Sequence, residues 1–282
     1  MAVALLGKLL KMKRNSLILS DDKNAYKTNI NETQLMFNFY DAPTNATFYI
    51  SNEIKKDVFL TGLNKNVKEI NFNIQENANV NFSCLYLGDI DDLTMNFYCY
   101  SCSNVDIYFA DFAKNNNANF KINIYLKEEG AKANWHLASL CKNNDTRKYY
   151  VSMYHLAAHT SALVDNYGVT LDDGFLTFSG ISEIKKGAYK SITKQNAKIM
   201  VFDEKSRGIA KPILKIDEHD IEANHAAVVG KINDDHLFYL KSRGLNEQKA
   251  KELITMGYLK PILVGFDDEI KENILAILEE DI

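Results

Sequence analysis

The sequence predicts a mainly β protein, a parallel β-helix with a small C-terminal helical segment. Three observations carry that prediction. Between about residue 30 and residue 230, short runs alternate apolar with polar residues, the period of two that belongs to strands. Small or Asn-bearing turns recur ahead of those runs, as they would in coils stacked on one another. After Gly230 the alternation stops and apolar residues take helical spacing. A β-sandwich would also use many short alternating strands, so the strand pattern by itself leaves that architecture open.

The first unit is an N-terminal segment, residues 1–29. Its opening, "MAVALLGKLLKMKRN", has an apolar patch with charges behind it and no small-residue cleavage site. A secretory signal carries its charges first. No run reaches the roughly 20 apolar residues of a membrane helix, and the expected location is the cytoplasm.

The second unit is the scaffold domain, residues 30–232. "FYIS", "VFLTG", "EINFNI", "NVNFSCLYLG", "TMNFYCY", "NVDIYFADF" and "NFKINIYL" are rich in Val, Ile, Phe and Tyr. Ile70, Phe72 and Ile74 point one way, and Asn71 and Asn73 the other. Turn-like openings recur at "ANVNF", "SNVDIYF", "NANFKI", "GAKANW", "TSALV" and "EANHAAV". Their irregular spacing, from one to two dozen residues, fits one or two strands per coil.

The third unit, residues 233–282, is helical. Asn233 can cap a helix through "DDHLFYLKSR" that stops at Gly244, and Asn246 a second, "EQKAKELITM", closed by Gly257. Pro261 breaks the chain, and Asp267 or Asp268 starts a third helix with Ile270, Ile274, Ile277 and Leu278 on one face. Leu237, Leu240, Leu245, Leu253 and Ile254 exceed what a two-helix appendage can bury against itself. They point to a partner-binding surface completed by Lys241 and Arg243, with Gly244 and Gly257 ending its helices. The competing expectation is that these residues cover the open end of the β-helix.

Composition excludes several functions. The 33 basic and 37 acidic residues give a net charge of −4, with no basic stripe for phosphate backbones. No phosphate-cradling GxxxxGK[ST] or GxGxxG loop occurs, and no GxSxG nucleophile turn. Four cysteines, Cys84, Cys99, Cys102 and Cys141, are too sparse for a disulfide framework. The CxxC of Cys99 and Cys102 lies in a strand-rich stretch and reads as buried apolar thiols. His155 and His159 stand four apart but in a strand context, so they do not share a helical face for a metal. Asp172, Asp173 and Glu183 are the acids a β-helical polysaccharide lyase or hydrolase would use, and they define the rival reading. His225 follows Glu222 near a coil end, where it is either solvated or paired with Glu222 or His219.

The C-terminal half resembles the SufB/SufD family of iron–sulfur cluster assembly proteins. The matching stretches are "HTSALVDNYGVTLDDGFLTFSGI" (159–181), "KGAYKSITKQNAKIMV" (186–201), "AKPILKIDEHDIEANHAAVVGKI" (210–232) and "HLFYLKSRGLNEQKAKELITMGYL" (236–259). The N-terminal half matches only in its strand-rich style.

The resemblance implies a right-handed parallel β-helix that serves as a scaffold without turnover of its own. It would pair with a SufB-like subunit or a second copy of itself, and bind a SufC-like ABC-type ATPase through the residues between Leu237 and Gly257. His225 falls where SufD-like members carry a histidine at the SufB–SufD interface, and Glu222 stands beside it in sequence. The SufB-like pattern places a cysteine after "QN", where this chain has Ala197. The cysteine often found two residues before the SufD histidine is Ala223 here. The chain is therefore read as SufD-like. No intrinsic cofactor is expected, only a transient iron–sulfur cluster shared with a partner, to which His225 alone would offer a metal ligand.

Overall fold

A computed structural model describes residues 17–19, 25–28, 34–39, 44–51, 56–114 and 117–281. The apolar stretch at the extreme N terminus lies outside the described residues.

Among the described residues, strands run in chain order: β1 (Leu17–Leu19), β2 (Ala25–Thr28), β3 (Gln34–Asn38), β4 (Asn45–Ile50), β5 (Lys56–Thr61), β6 (Glu69–Ile74), β7 (Asn79–Tyr86), β8 (Asp92–Cys99), β9 (Asn104–Asp111), β10 (Ala118–Leu126), β11 (Lys132–Cys141), β12 (Thr146–His155), β13 (Ser161–Thr170), β14 (Phe175–Ile184), β15 (Ser191–Val201), β16 (Arg207–Ile216) and β17 (Ile221–Lys231). Even-numbered strands, with β1 at the edge, make a first wall, and the odd-numbered strands from β3 to β17 make a second. Every pair is parallel except β1 with β2. The architecture is a β-helix, not a sandwich, with two strands per coil. Coils lengthen along the axis: Phe48 pairs with Phe72, 24 residues on, and Phe178 with Ala210, 32 residues on.

Alternation explains the packing. Ile70, Phe72 and Ile74 are buried while Asn71 and Asn73 face outward. Because strands stack in register, like side chains meet between coils. Phe48, Phe72 and Phe97 form one aromatic column with centroids 5.1 and 4.6 Å apart. Phe120 and Tyr149 form another at 4.8 Å. Outside, amide stacks continue the register: Asn123 donates to Asn96 at 2.8 Å and Asn96 to Asn71 at 2.9 Å.

The recurring turns have a shared geometry. Asn77, Cys102, Gly130, His159 and Lys190 all have positive φ, between 53° and 74°. Each donates its N–H to a carbonyl in the next coil: Ser101, Glu129, Ala158, Tyr189 and Asp220, in that order. A left-handed non-glycine residue costs about 1–2 kcal/mol, which the inter-coil hydrogen bond offsets. Gly180, with φ 154°, is required by space as well. A Cβ there would lie 1.8 Å from the Val151 carbonyl oxygen.

Three helices follow: α1 (Asp234–Ser242), α2 (Glu247–Leu259) and, after a 3-10 turn at Lys260–Gly265, α3 (Asp268–Asp281). Asn233 and Asn246 cap the first two, accepting from Asp235 N and Lys249 N. Gly244, φ 93°, ends α1. The expected stop at Gly257 is corrected: α2 continues to Leu259. A mid-helix glycine costs about 1 kcal/mol, and burial of Leu259 outweighs that.

The helical segment packs along the outer face of the second wall, touching β7, β9, β11 and β13. Leu259, Ile262, Leu263, Phe266, Ile270 and Ile274 bury against Phe59, Leu85, Ala110, Phe112, Leu140 and Val169. Asn81 anchors the 3-10 turn by donating to the Gly265 carbonyl at 3.0 Å. Gly265 lies flat on the Tyr108 ring, where a Cβ would sit 2.0 Å from a ring carbon.

Candidate functional site at the open end

The last coil is open. β16 pairs only with β14 and β17 only with β15, so each leaves one edge unpaired among the described residues. The two edges are guarded differently. β16 carries Lys211, Pro212 and Lys215, and a proline and lysines discourage strand addition. β17 has no charge between Glu222 and Lys231, and its Val228 and Val229 are 56% and 44% exposed. Such an edge is a template for another chain.

His225 lies on this edge. It pairs in register with Gln195, which faces the interior, is buried, and donates to Ser182 Oγ at 2.5 Å. His225 therefore takes an inward position that no further coil covers, and it is exposed. Strand alternation puts Glu222, paired with Ile192, on the opposite face. Neither Glu222 nor His219 bonds to His225 among the described residues, so the two pairings considered from sequence do not form. Ala223 pairs with Thr193 and Ala197 with Ala227, both on the same face as His225. The inward face of β17 thus presents one imidazole among small side chains and no thiol.

The cysteines lie elsewhere. Cys84, Cys99 and Cys141 are buried. Burial pushes the Cys84 thiol far up and holds Cys99 and Cys141 at about 12, which keeps them protonated and unreactive. The expectation of buried thiols fails for Cys102, which is exposed in the corner turn. Its left-handed conformation carries it out of the strand that buries Cys99. Cys141 is separated from β17 by three strand spacings, roughly 14 Å. No group of three or more His, Cys, Asp or Glu side chains is arranged for a metal ion among the described residues.

The helical surface is a second feature. α1 buries no residue. Leu237, Leu240, Leu245 and Ile254 are half-buried and Leu253 is exposed. Lys241 and Lys251 both pair with Glu247 at 3.1 Å, and Arg243 lies over the Tyr239 ring at 5.2 Å. The most exposed apolar residues on α1 and α2 are Phe238 (74%) and Tyr239 (55%), which sequence reasoning passed over. "HLFYLK" did hold the signal, since four consecutive large nonpolar side chains cannot share one face of a helix.

The rival site does not assemble. Asp172 and Asp173 are positive-φ turn residues, and Glu183 is clamped by Lys185 at 2.5 Å and Lys215 at 2.6 Å, which hold its carboxyl below the usual range. His155 is buried, bonds to Thr160 Oγ1 at 2.8 Å, and is held near 4 by desolvation. His159 is at an exposed corner. The two histidines occupy unrelated environments.

Comparison with known proteins bears on this geometry. The family model described as SUF system FeS cluster assembly, SufBD core domain, matches residues 44–258. The iron-sulfur cluster assembly protein SufD of Bacillus subtilis (strain 168) is 32% identical over 142 residues, 50% of this chain and 32% of that protein. SufB of the same organism is 30% identical over 136 residues, 48% of this chain and 29% of that protein. A SufBD family protein of Mycobacterium tuberculosis (strain ATCC 25618 / H37Rv) is 34% identical over 110 residues, 39% of this chain and 13% of that protein. The matches thus span about a third or less of these relatives' length. The family model covers the β-helix from β4 through the open edge of β17 and on to α2. This chain belongs to the SufBD family of iron–sulfur cluster assembly proteins.

Proposed function

We propose that the chain is a SufD-like scaffold component that pairs through β17 with a SufB-like subunit and binds a SufC-like ABC-type ATPase on α1 and α2. The observation that carries this reading is the unguarded β17 edge, with the His225 imidazole on its open inward face. A partner strand added there satisfies the open N–H and C=O groups and brings its own side chains beside His225. Iron–sulfur clusters are held by several thiolates. Having none at this end, the chain would contribute one imidazole to a cluster whose remaining ligands come from the partner.

In this reading the chain has no turnover of its own, no intrinsic cofactor and no nucleotide site, and ATP hydrolysis belongs to the ATPase. Its unbridged thiols suit the reducing cytoplasm. SufD-like is preferred over SufB-like because Ala197 stands where the SufB pattern has cysteine. A second copy of this chain could occupy the same edge, and would then bring two imidazoles and no thiol.

The test is reconstitution with the SufB-like subunit and the ATPase of the same organism. Wild type should co-purify with both and load iron and sulfide. His225→Ala should co-purify equally but load less cluster. Equal loading by the two proteins contradicts the role of His225, and no association with either partner contradicts the scaffold reading.

A further inference from the structure

A cleft of about 410 Å³ opens on the outer face of the first wall, across the N-terminal halves of β8, β10, β12 and β14. The strand backbone at Leu93, Phe120 and Tyr149, whose side chains point into the core, forms its floor, and Lys121, Lys148 and Tyr150 stand at its rim. Register places Lys121 beside Tyr150 and Lys148 beside Asn119. The two lysines therefore come from adjacent coils as a diagonal pair, offset by two residues and about 7–8 Å apart.

The acids on this wall's strands each have a hydrogen-bond or ion-pair partner, and Asp92 also lines the cleft. Asp92 accepts from Asn119 at 3.0 Å. Glu69 accepts from Asn71 at 3.1 Å and Asn96 at 3.2 Å. Glu183 holds Lys185 and Lys215. Lys121 and Lys148 have neither an ion-pair nor a hydrogen-bond partner among the described residues. Like charges on neighbouring strands repel, and a shared anion reverses the sign of that interaction. Tyr150, 40% exposed, presents its ring in the same cleft. The volume lies within the range of small-molecule sites. Ammonium groups bind phosphate oxygens as point charges, and an exposed phenol ring offers a face to a planar ligand.

We propose that this cleft binds a small aromatic phosphate ester, its oxyanion between Lys121 and Lys148 and its ring against Tyr150. The site is on the wall opposite the helical segment and ends before β16. A ligand there leaves both partner-facing surfaces uncovered.

The probe is phenyl phosphate, titrated into the full chain at low salt and followed by calorimetry and amide shifts. Saturable binding that perturbs β10 and β12 amides and weakens with added salt is expected. The Lys121→Gln/Lys148→Gln double variant should bind roughly tenfold more weakly or worse. Tyr150→Ala should weaken phenyl phosphate about fivefold and leave inorganic phosphate unchanged. All three side chains point outward, so circular dichroism should match wild type. Absence of saturable binding, or equal affinity in the double variant, overturns the proposal.

Discussion

Arg147 and His225 both occupy inward positions of the same β-helix, yet one is sealed in the middle and the other is open at the end. Arg147 is fully buried and forms an ion pair with Asp111 at 3.2 Å, while its Nη2 donates to the Ala113 carbonyl at 3.0 Å. Tyr149 donates to the same Asp111, and Ser139 Oγ donates to it at 3.4 Å. Burial pushes the Asp111 carboxyl up against the opposing pull of Arg147. Outside this level the second wall is covered by the helical segment. Among the described residues, His225 has no network, no next coil and no helix above it. The middle holds its buried charge with a counter-charge beside it, because a buried unpaired charge is expensive. The end leaves its polar group uncommitted, which a stable core has no use for and an interface does.

That contrast can be broken most severely at the cover. Truncation after Lys231 uncovers Phe59, Leu85, Phe112 and Leu140 on the second wall. The lost burial is worth about 10 kcal/mol or more, comparable with a whole domain's stability, so the truncated chain should aggregate. A soluble, monomeric product in gel filtration would show that the helices are an appendage and not part of the core.

Next in size is Arg147→Ala. It leaves Asp111 buried without its counter-charge and should destabilise the fold by about 3–5 kcal/mol in urea titrations. A loss under 1 kcal/mol would mean that the network contributes little locking.

His155 sharpens the comparison through pH. Its folded value of about 4 lies below the ordinary 6.5, so the folded state resists the protonation that the unfolded chain accepts. Stability from this group is fully present above pH 6.5 and is lost as pH falls from 6.5 towards 4, about 3 kcal/mol in total. His155→Gln should flatten urea stability across that window.

The smallest effects on stability belong to the open end. Ile232 N donates to the Val201 carbonyl, so alternation turns the Val229 N–H away from β15, and Val229→Pro and His225→Ala should each change unfolding free energy by no more than about 1 kcal/mol. Val229→Pro, which removes an N–H from the free edge, should nevertheless reduce association with the SufB-like subunit.

Much of this fold was legible in the residues. Ile70, Phe72 and Ile74 announced their inward face, and Asn233 and Asn246 announced two helix starts. Where the helices pack was not read. Its signal was the apolar run "CLY" at 84–86, where Cys84 and Tyr86 face the core and Leu85 faces the helices. A run buried on both faces breaks alternation, and the covering element is not named by the strand itself. Cys102 was misread because strand pattern says nothing about a left-handed corner. His225 was found by family likeness. That it sits beside buried Gln195, on an inward face left open, depends on a register linking residues 30 apart.

The central claim is that β17 is an edge kept free for a partner strand. Amide hydrogen exchange along Ala226–Gly230, measured in the isolated chain and in its complex with the SufB-like subunit, tests it most directly. The account predicts that amides directed away from β15 exchange fast in isolation and become protected in the complex, while β11 is unchanged. A stable complex in which β17 exchange is the same as in the free chain contradicts it.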